Sequence, residues 1–137
     1  MIKTKGLYHI GIPVNDLDRA MKFYREVLGM QVANVARDDL KGLGRAEMRS
    51  GSSIVVLFER PKSIERDTLS QDGVTHHAFY VDSDDFDTAE ERMRAAGVRI
   101  HEVPVVERRS GRGFYFFDPD GNLLQLYAPP KQRGQTD

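Results

Sequence analysis

Residues 7–14 read Leu-Tyr-His-Ile-Gly-Ile-Pro-Val, an alternation that predicts a strand with His9, Gly11 and Pro13 on one face. Pro13 lacks an N–H, which sets the end of that strand at a sheet edge or a bulge. Asn15 or Asp16 then caps a helix in which Leu17, Ala20, Met21, Tyr24, Val27 and Leu28 recur at helical spacing, and Gly29 supplies the stop. Residues 30–35, 43–49 and 53–59 follow as three strand-like runs, separated by polar turns around Asp38-Asp39 and Ser50-Gly51-Ser52. Residues 60–72 are a polar connection, near the upper end of ordinary loop length, which marks a module boundary or a functional loop.

The pattern then starts again. Residues 74–81 predict a strand, Ser83 or Asp84 caps a helix with Phe86, Ala89, Met93 and Ala96 on one face, and Gly97 closes it. Residues 98–105, 112–117 and 123–127 follow as strands. Laying His9 on His76 also lays Val14 on Val81, and one inserted residue later Gly29 falls on Gly97. The expected fold is α+β: two repeated β-α-β-β-β modules, about 5–60 and about 73–129, forming a curved mixed sheet around a cleft within one domain spanning 1–137. The tail, residues 130–137, has no apolar content and is expected to be disordered.

Composition narrows the chemistry. With 20 basic and 21 acidic residues the net charge is −1, which gives no electrostatic footing for nucleic acid or an anionic membrane. There are no cysteines, so thiolate nucleophiles, thiolate metal sites and disulfides are excluded. No apolar run approaches signal-peptide or membrane-spanning length, and the expected location is cytoplasmic.

The firmest local signal is Phe114-Tyr-Phe-Phe-Asp-Pro-Asp-Gly-Asn-Leu-Leu-Gln-Leu-Tyr127, an aromatic strand, a reversal and a second strand. Pro119 presets φ, while Asp118, Asp120, Gly121 and Asn122 bring turn chemistry. Alternation in the outgoing strand sets Leu123, Gln125 and Tyr127 on one face. His9, His76 and Gln125 thus form a candidate set of two imidazoles and a side-chain oxygen, leaving coordination positions open for water or substrate. The competing reading is structural: a histidine bonded to backbone at a strand start and a buried amide serving a strand edge. Of the adjacent pair, His77 points opposite to His76 and is expected at the surface or against the helix.

Tyr8-His9-Ile10-Gly11-Ile12 before a helix ending Phe23-Tyr24-x-x-x-Leu28-Gly29-Met30, with His76-His77-Ala78-Phe79 and Phe117-Asp118-Pro119-Asp120-Gly121-Asn122-Leu123-Leu124-Gln125-Leu126, resembles the vicinal oxygen chelate superfamily. That superfamily includes glyoxalase I, the extradiol dioxygenases, the fosfomycin-resistance thiol transferases and the bleomycin-resistance proteins. The resemblance implies a divalent ion (Zn, Ni, Co, Mn or Fe) on His9, His76 and Gln125, with Gln125 replacing the usual Glu. The fourth ligand of glyoxalase-type members falls on Val56, which cannot ligate, and Glu47 or Glu59 would substitute only in a different register. Tyr115 matches a tyrosine that reaches substrate in the fosfomycin-resistance enzymes and is the expected catalytic residue. The other polar residues by which those enzymes hold fosfomycin and potassium have no counterpart, so a different substrate is implied.

Residues 107–113 form a basic, glycine-rich loop in which Arg109 and Arg112 are candidate substrate clamps, with Phe79 as cleft lining. The resulting expectation is a homodimeric glyoxalase-like lyase or isomerase, or less readily a dioxygenase, acting on a small substrate chelated through neighbouring oxygens. Its rival is a metal-free ligand-sequestering protein of the bleomycin-resistance type.

Overall fold

In the computed structural model, residues 1–38, 43–61 and 75–131 are described. The second half of the Asp38-Asp39 turn, most of the 60–72 connection, the first residue of the strand expected over 74–81, and all but the start of the expected disordered tail lie outside the described residues. The chain divides into two compact units, residues 1–65 and 66–137.

The first unit runs β1 (Ile10–Val14), α1 (Leu17–Glu26), β2 (Gln31–Asp38), β3 (Leu43–Ser50) and β4 (Ser53–Glu59). Its sheet order is β1-β4-β3-β2, with β1 parallel to β4 and the other pairs antiparallel. Alternation sends Ile12, Val14, Ala46, Met48, Val55 and Leu57 to one face, where they are buried with Leu17, Ala20, Phe23 and Tyr24 of α1. Burying each large apolar side chain is worth about 1.5–3 kcal/mol, so this layer fixes the register. Asp16 caps α1 by accepting from the N–H of Arg19 at 3.0 Å. Glu59, at the end of β4 on the same side, accepts from the N–H of Leu17 at 2.7 Å, so its carboxylate serves the helix start. At the other end Gly29 takes φ of 67°, and Met30 N–H returns to the Tyr24 carbonyl at 3.0 Å.

The second unit repeats this plan: β5 (His77–Tyr80), α2 (Ser83–Ala95), β6 (Val106–Arg108), β7 (Gly111–Phe117) and β8 (Leu123–Ala128), in the order β5-β8-β7-β6 with β5 parallel to β8. Both units are therefore β-α-β-β-β, each a four-stranded mixed sheet with one helix. Phe86, Ala89 and Met93 of α2 are buried, as are Phe114, Phe116, Leu124 and Leu126 on the facing side of the sheet, with the Phe86 and Phe114 rings 5.6 Å apart. The helix-capping position is Asp82 rather than Ser83 or Asp84, and its side chain makes no cap hydrogen bond.

The strand expected over 98–105 is the main departure. Residues 99–101 lie along β7, with His101 N–H donating to the Tyr115 carbonyl and Phe117 N–H donating to the Arg99 carbonyl, both at 2.9 Å. Pairing then lapses and resumes at β6. Pro104, which lacks a ladder donor, sits in the gap. Unit one shows a register shift at the corresponding place, between Val32 and Asn34 of β2.

The β7–β8 reversal forms as its residues dictate. Asp118, only 4% exposed, accepts from the N–H groups of Asp120 (2.9 Å) and Asn122 (2.8 Å) and from the Asn122 amide (2.7 Å). Gly121 adopts φ of 83°, a conformation L side chains disfavour.

Candidate functional site

The sheet of unit two has a helix-facing side and an opposite side, and strand register assigns each candidate to one of them. Tyr115 pairs with Gln125, and Gln125 with Ala78, so these three share a face. That face is the one opposite Phe114, Phe116, Leu124 and Leu126, hence opposite α2. His76 immediately precedes β5, and its ring meets the Tyr115 ring edge-on with centroids 5.3 Å apart. His76, Tyr115 and Gln125 are therefore gathered on the face away from α2.

Gln125 is 8% exposed, and its amide nitrogen lies against Gly113 on β7, where an added Cβ would come within 2.7 Å of it. Gly113 is thus required by close approach. Among the described residues no hydrogen bond engages the Gln125 amide. Buried amides ordinarily find partners, so an amide seated in a glycine cradle beside an imidazole has donor capacity to give to a ligand. Imidazole nitrogen and amide oxygen are both donors that a divalent ion accepts, and this donor set fits one. Among the described residues no three His, Cys, Asp or Glu side chains gather as a metal cluster, so a three-donor set on this face has to draw on Gln125.

His9 belongs to unit one. It lies just before β1 rather than within it, exposed, with its ring edge-on to Tyr8 at 5.4 Å. Within that unit Gly11 pairs with Val56 and Val56 with Glu47, so Val56 and Glu47 occupy in unit one the places of Gln125 and Tyr115 in unit two. Val56 is 6% exposed and leaves that position without a donor. Glu47 shares its face, whereas Glu59 is on the α1 side and committed to Leu17.

Two expected substrate contacts are corrected. Arg112 falls on the α2 side: it is 5% exposed, its guanidinium lies 4.7 Å from the Phe86 ring, it pairs with Asp87 at 2.7 Å, and its Nε–H donates to the Pro129 carbonyl at 3.4 Å. Alternation from Tyr115 puts it there, and the ion pair holds it. Phe79, paired with Leu126, lies on the same helix side and does not line the His76 face. Arg109 is exposed at the turn between β6 and β7, away from the His76–Tyr115 pair in register. His77 faces the α2 side; burial, and secondarily the neighbouring His76, hold its imidazole below the ordinary 6.5.

Arg99 and His101, which the sequence reading assigned no role, lie opposite Phe117 and Tyr115 on the candidate face. The Arg99 guanidinium sits 3.8 Å from the centroid of the Phe117 ring, and the His101 ring 5.8 Å from it. Their signal was present as the alternation Val98-Arg99-Ile100-His101 beside an aromatic strand.

The family model of the Glyoxalase/Bleomycin resistance protein/Dioxygenase superfamily matches residues 6–126. The chain belongs to that superfamily. It is 32% identical over 124 residues to the fosfomycin resistance protein FosX of Listeria monocytogenes, covering 90% of this chain and 89% of that protein. It is 29% identical over 129 residues to the metallothiol transferase FosB of Staphylococcus epidermidis, covering 93% of this chain and 84% of the other. Among solved structures, a glutamate-to-glutamine mutant of the Listeria monocytogenes FosX, complexed with Mn(II) and a dihydroxypropylphosphonic acid, superposes with a TM-score of 0.74 at 25% identity, covering 91% of this chain and 93% of that one. Of these relatives, FosB is a metallothiol transferase and the FosX mutant holds Mn(II) with a small phosphonic acid. No helix among the described residues is long and apolar enough to cross a membrane.

Proposed function

We propose that this chain is a divalent-metal-dependent enzyme in which His76 and Gln125, together with a His9, hold the ion, and Tyr115 serves the substrate. The observation that carries the reading is the nearly buried Gln125 amide, engaged by no described hydrogen-bond partner and set on one face with His76 and Tyr115. The ion, when bound, supplies Lewis-acid polarisation of two neighbouring substrate oxygens, and a neutral amide in place of a carboxylate leaves it one charge more electropositive.

The chain's own groups do the remaining work. The Tyr115 phenol donates to substrate oxygen as negative charge develops, its orientation held by the edge-on His76 ring. Leu123 and Phe117, paired on the same face, give the substrate an apolar wall that limits water. The reaction we favour is therefore glyoxalase-like, in a homodimer acting in the cytoplasm on a small oxygen-rich substrate. The 32% identity to FosX favours a second reading, addition of water or a thiol to fosfomycin.

The test is metal binding before activity. Untagged protein purified without chelator is analysed for metal, then stripped and titrated with Mn(II), Ni(II), Co(II) and Zn(II) by calorimetry, alongside His9→Ala and His76→Ala. One tight equivalent per chain, lost in both variants, supports the site; full binding in His76→Ala would remove it. The loaded protein is then assayed with the hemithioacetal of methylglyoxal and with fosfomycin, the latter by phosphorus NMR with water and with thiols. If no ion binds, a ligand-sequestering role of the bleomycin-resistance type replaces the enzyme.

A further inference from the structure

Arg99 lies over the Phe117 ring at 3.8 Å, and among the described residues it pairs with no carboxylate. This distinguishes it from Arg37, Arg92, Arg94 and Arg112, each of which meets an Asp or Glu within 3.1 Å. Stacking on a ring face orients the guanidinium while leaving its in-plane N–H donors unspent. Two residues on, His101 Nδ1 accepts from the N–H of Val103 at 3.0 Å. In its neutral form that imidazole therefore carries its proton on Nε2, a donor with no partner among the described residues. Both residues stand on the face of His76, Tyr115 and Gln125, one strand further from β8, held there by paired backbone hydrogen bonds across β7.

We infer that Arg99 and His101 form an oxyanion-binding edge to this face, so that the substrate carries a carboxylate or phosphate group beyond its pair of metal-chelating oxygens. A planar guanidinium with uncommitted donors and an imidazole N–H on one face beside an aromatic platform are the chemistry that recognises such a group. An uncharged diol or carbonyl compound has nothing to place there. Arg112 is withdrawn to the α2 side and Arg109 sits at the β6–β7 turn, so of the guanidiniums considered Arg99 is the one on this face. This inference rests on the metal-enzyme reading for where the rest of the substrate sits.

Three probes share one vicinal diol and differ in charge: glycerol phosphate, glycerate and glycerol. Each is titrated into Mn(II)-loaded protein by calorimetry, and into chelator-treated isotope-labelled protein by NMR, following the Arg99 side-chain N–H and the His101 ring. The expected result is that at least one anionic probe binds about tenfold or more tightly than glycerol, the tighter one naming the oxyanion. Arg99→Met, which keeps the apolar stack on Phe117, abolishes that preference without changing Mn(II) affinity. Arg99→Lys restores part of it, and His101→Phe reduces it about threefold. Equal binding of all three probes, or a preference that survives Arg99→Met, overturns the inference. Should the protein hold no ion, the metal reading fails on its own, and the chelator-treated titration still decides Arg99 through the anion-dependent shift of its N–H.

Discussion

Tyr115 and Gln125 stand directly opposite each other across β7 and β8, with the ring of His76 edge-on to the tyrosine at 5.3 Å. Cross-strand partners on one face lie within side-chain reach, so the phenol and the amide address the same small volume above the sheet. Replacing Tyr115 by Phe keeps the ring and its contact with His76 and removes only the hydroxyl. The expected outcome is unchanged thermal stability and metal affinity, with kcat reduced about a hundredfold. Measuring KM alongside kcat separates a transition-state donor from a packing residue, because a packing role would not leave both stability and metal affinity intact.

Gln125→Glu tests the ligand assignment from the other direction. The two side chains are isosteric, so the seat against Gly113 remains adequate, while a formal negative charge replaces a neutral donor. Affinity for Mn(II) should rise by about tenfold or more, since hard divalent cations prefer carboxylate oxygen. Competition with a chelating dye measures it, and an unchanged constant would mean that Gln125 is not a ligand. Gly113→Ala is the matching disruption: its Cβ would meet the Gln125 amide at 2.7 Å, the Tyr127 ring at 2.8 Å and the Leu126 carbonyl at 3.1 Å. Overpacking of this kind costs about 1–3 kcal/mol, and metal affinity should fall with it because the amide has to move.

Arg112 makes the opposite kind of prediction. It is nearly buried, but Asp87 is half exposed, so their attraction is partly screened and the Phe86 stack and the Pro129 carbonyl share the load. Arg112→Met should lower unfolding free energy by about 1–3 kcal/mol and leave metal and ligand affinity unchanged. Urea unfolding and calorimetry on one preparation check both parts. A ligand constant that worsened with stability intact would return Arg112 to the substrate.

The repeat was legible because period-2 and helical patterns, the two glycine stops and the Asp-Pro-Asp-Gly turn all act locally; each chooses its conformation from nearby residues. Alternation put Leu123, Gln125 and Tyr127 on one face of the outgoing strand, while Tyr115 entered through the family resemblance. What alternation could not decide was which face of β7 the helix would cover for a charged side chain. Arg112 carries a long apolar stem and a stackable head, so it entered the α2 layer with a carboxylate at its tip, where the sequence reading made it a substrate clamp. The strand expected over 98–105 broke because Pro104 and its neighbours left the ladder, and Arg99 and His101 went unnoticed inside it. Cross-strand opposition is a tertiary fact, available only once β7 has a partner.

His77 provides a pH signature independent of any ligand. It lies on the α2 side, paired with Leu124, and burial followed by the charge of His76 depresses its folded pKa below 6.5. Above about pH 7.5 the imidazole is neutral in both folded and unfolded chains, and it contributes no pH dependence. As pH falls below that value the unfolded chain takes up the proton first, because the folded environment resists it. Protons bound are then more numerous in the unfolded state, so stability declines until the folded pKa is also passed. Chelator-treated protein should therefore lose unfolding free energy as pH falls from about 7.5 through 6.5, and His77→Leu should flatten that decline. Urea titrations at intervals across the range measure it in both proteins. An identical slope in His77→Leu would assign the loss to other groups and show that His77 is hydrated in solution.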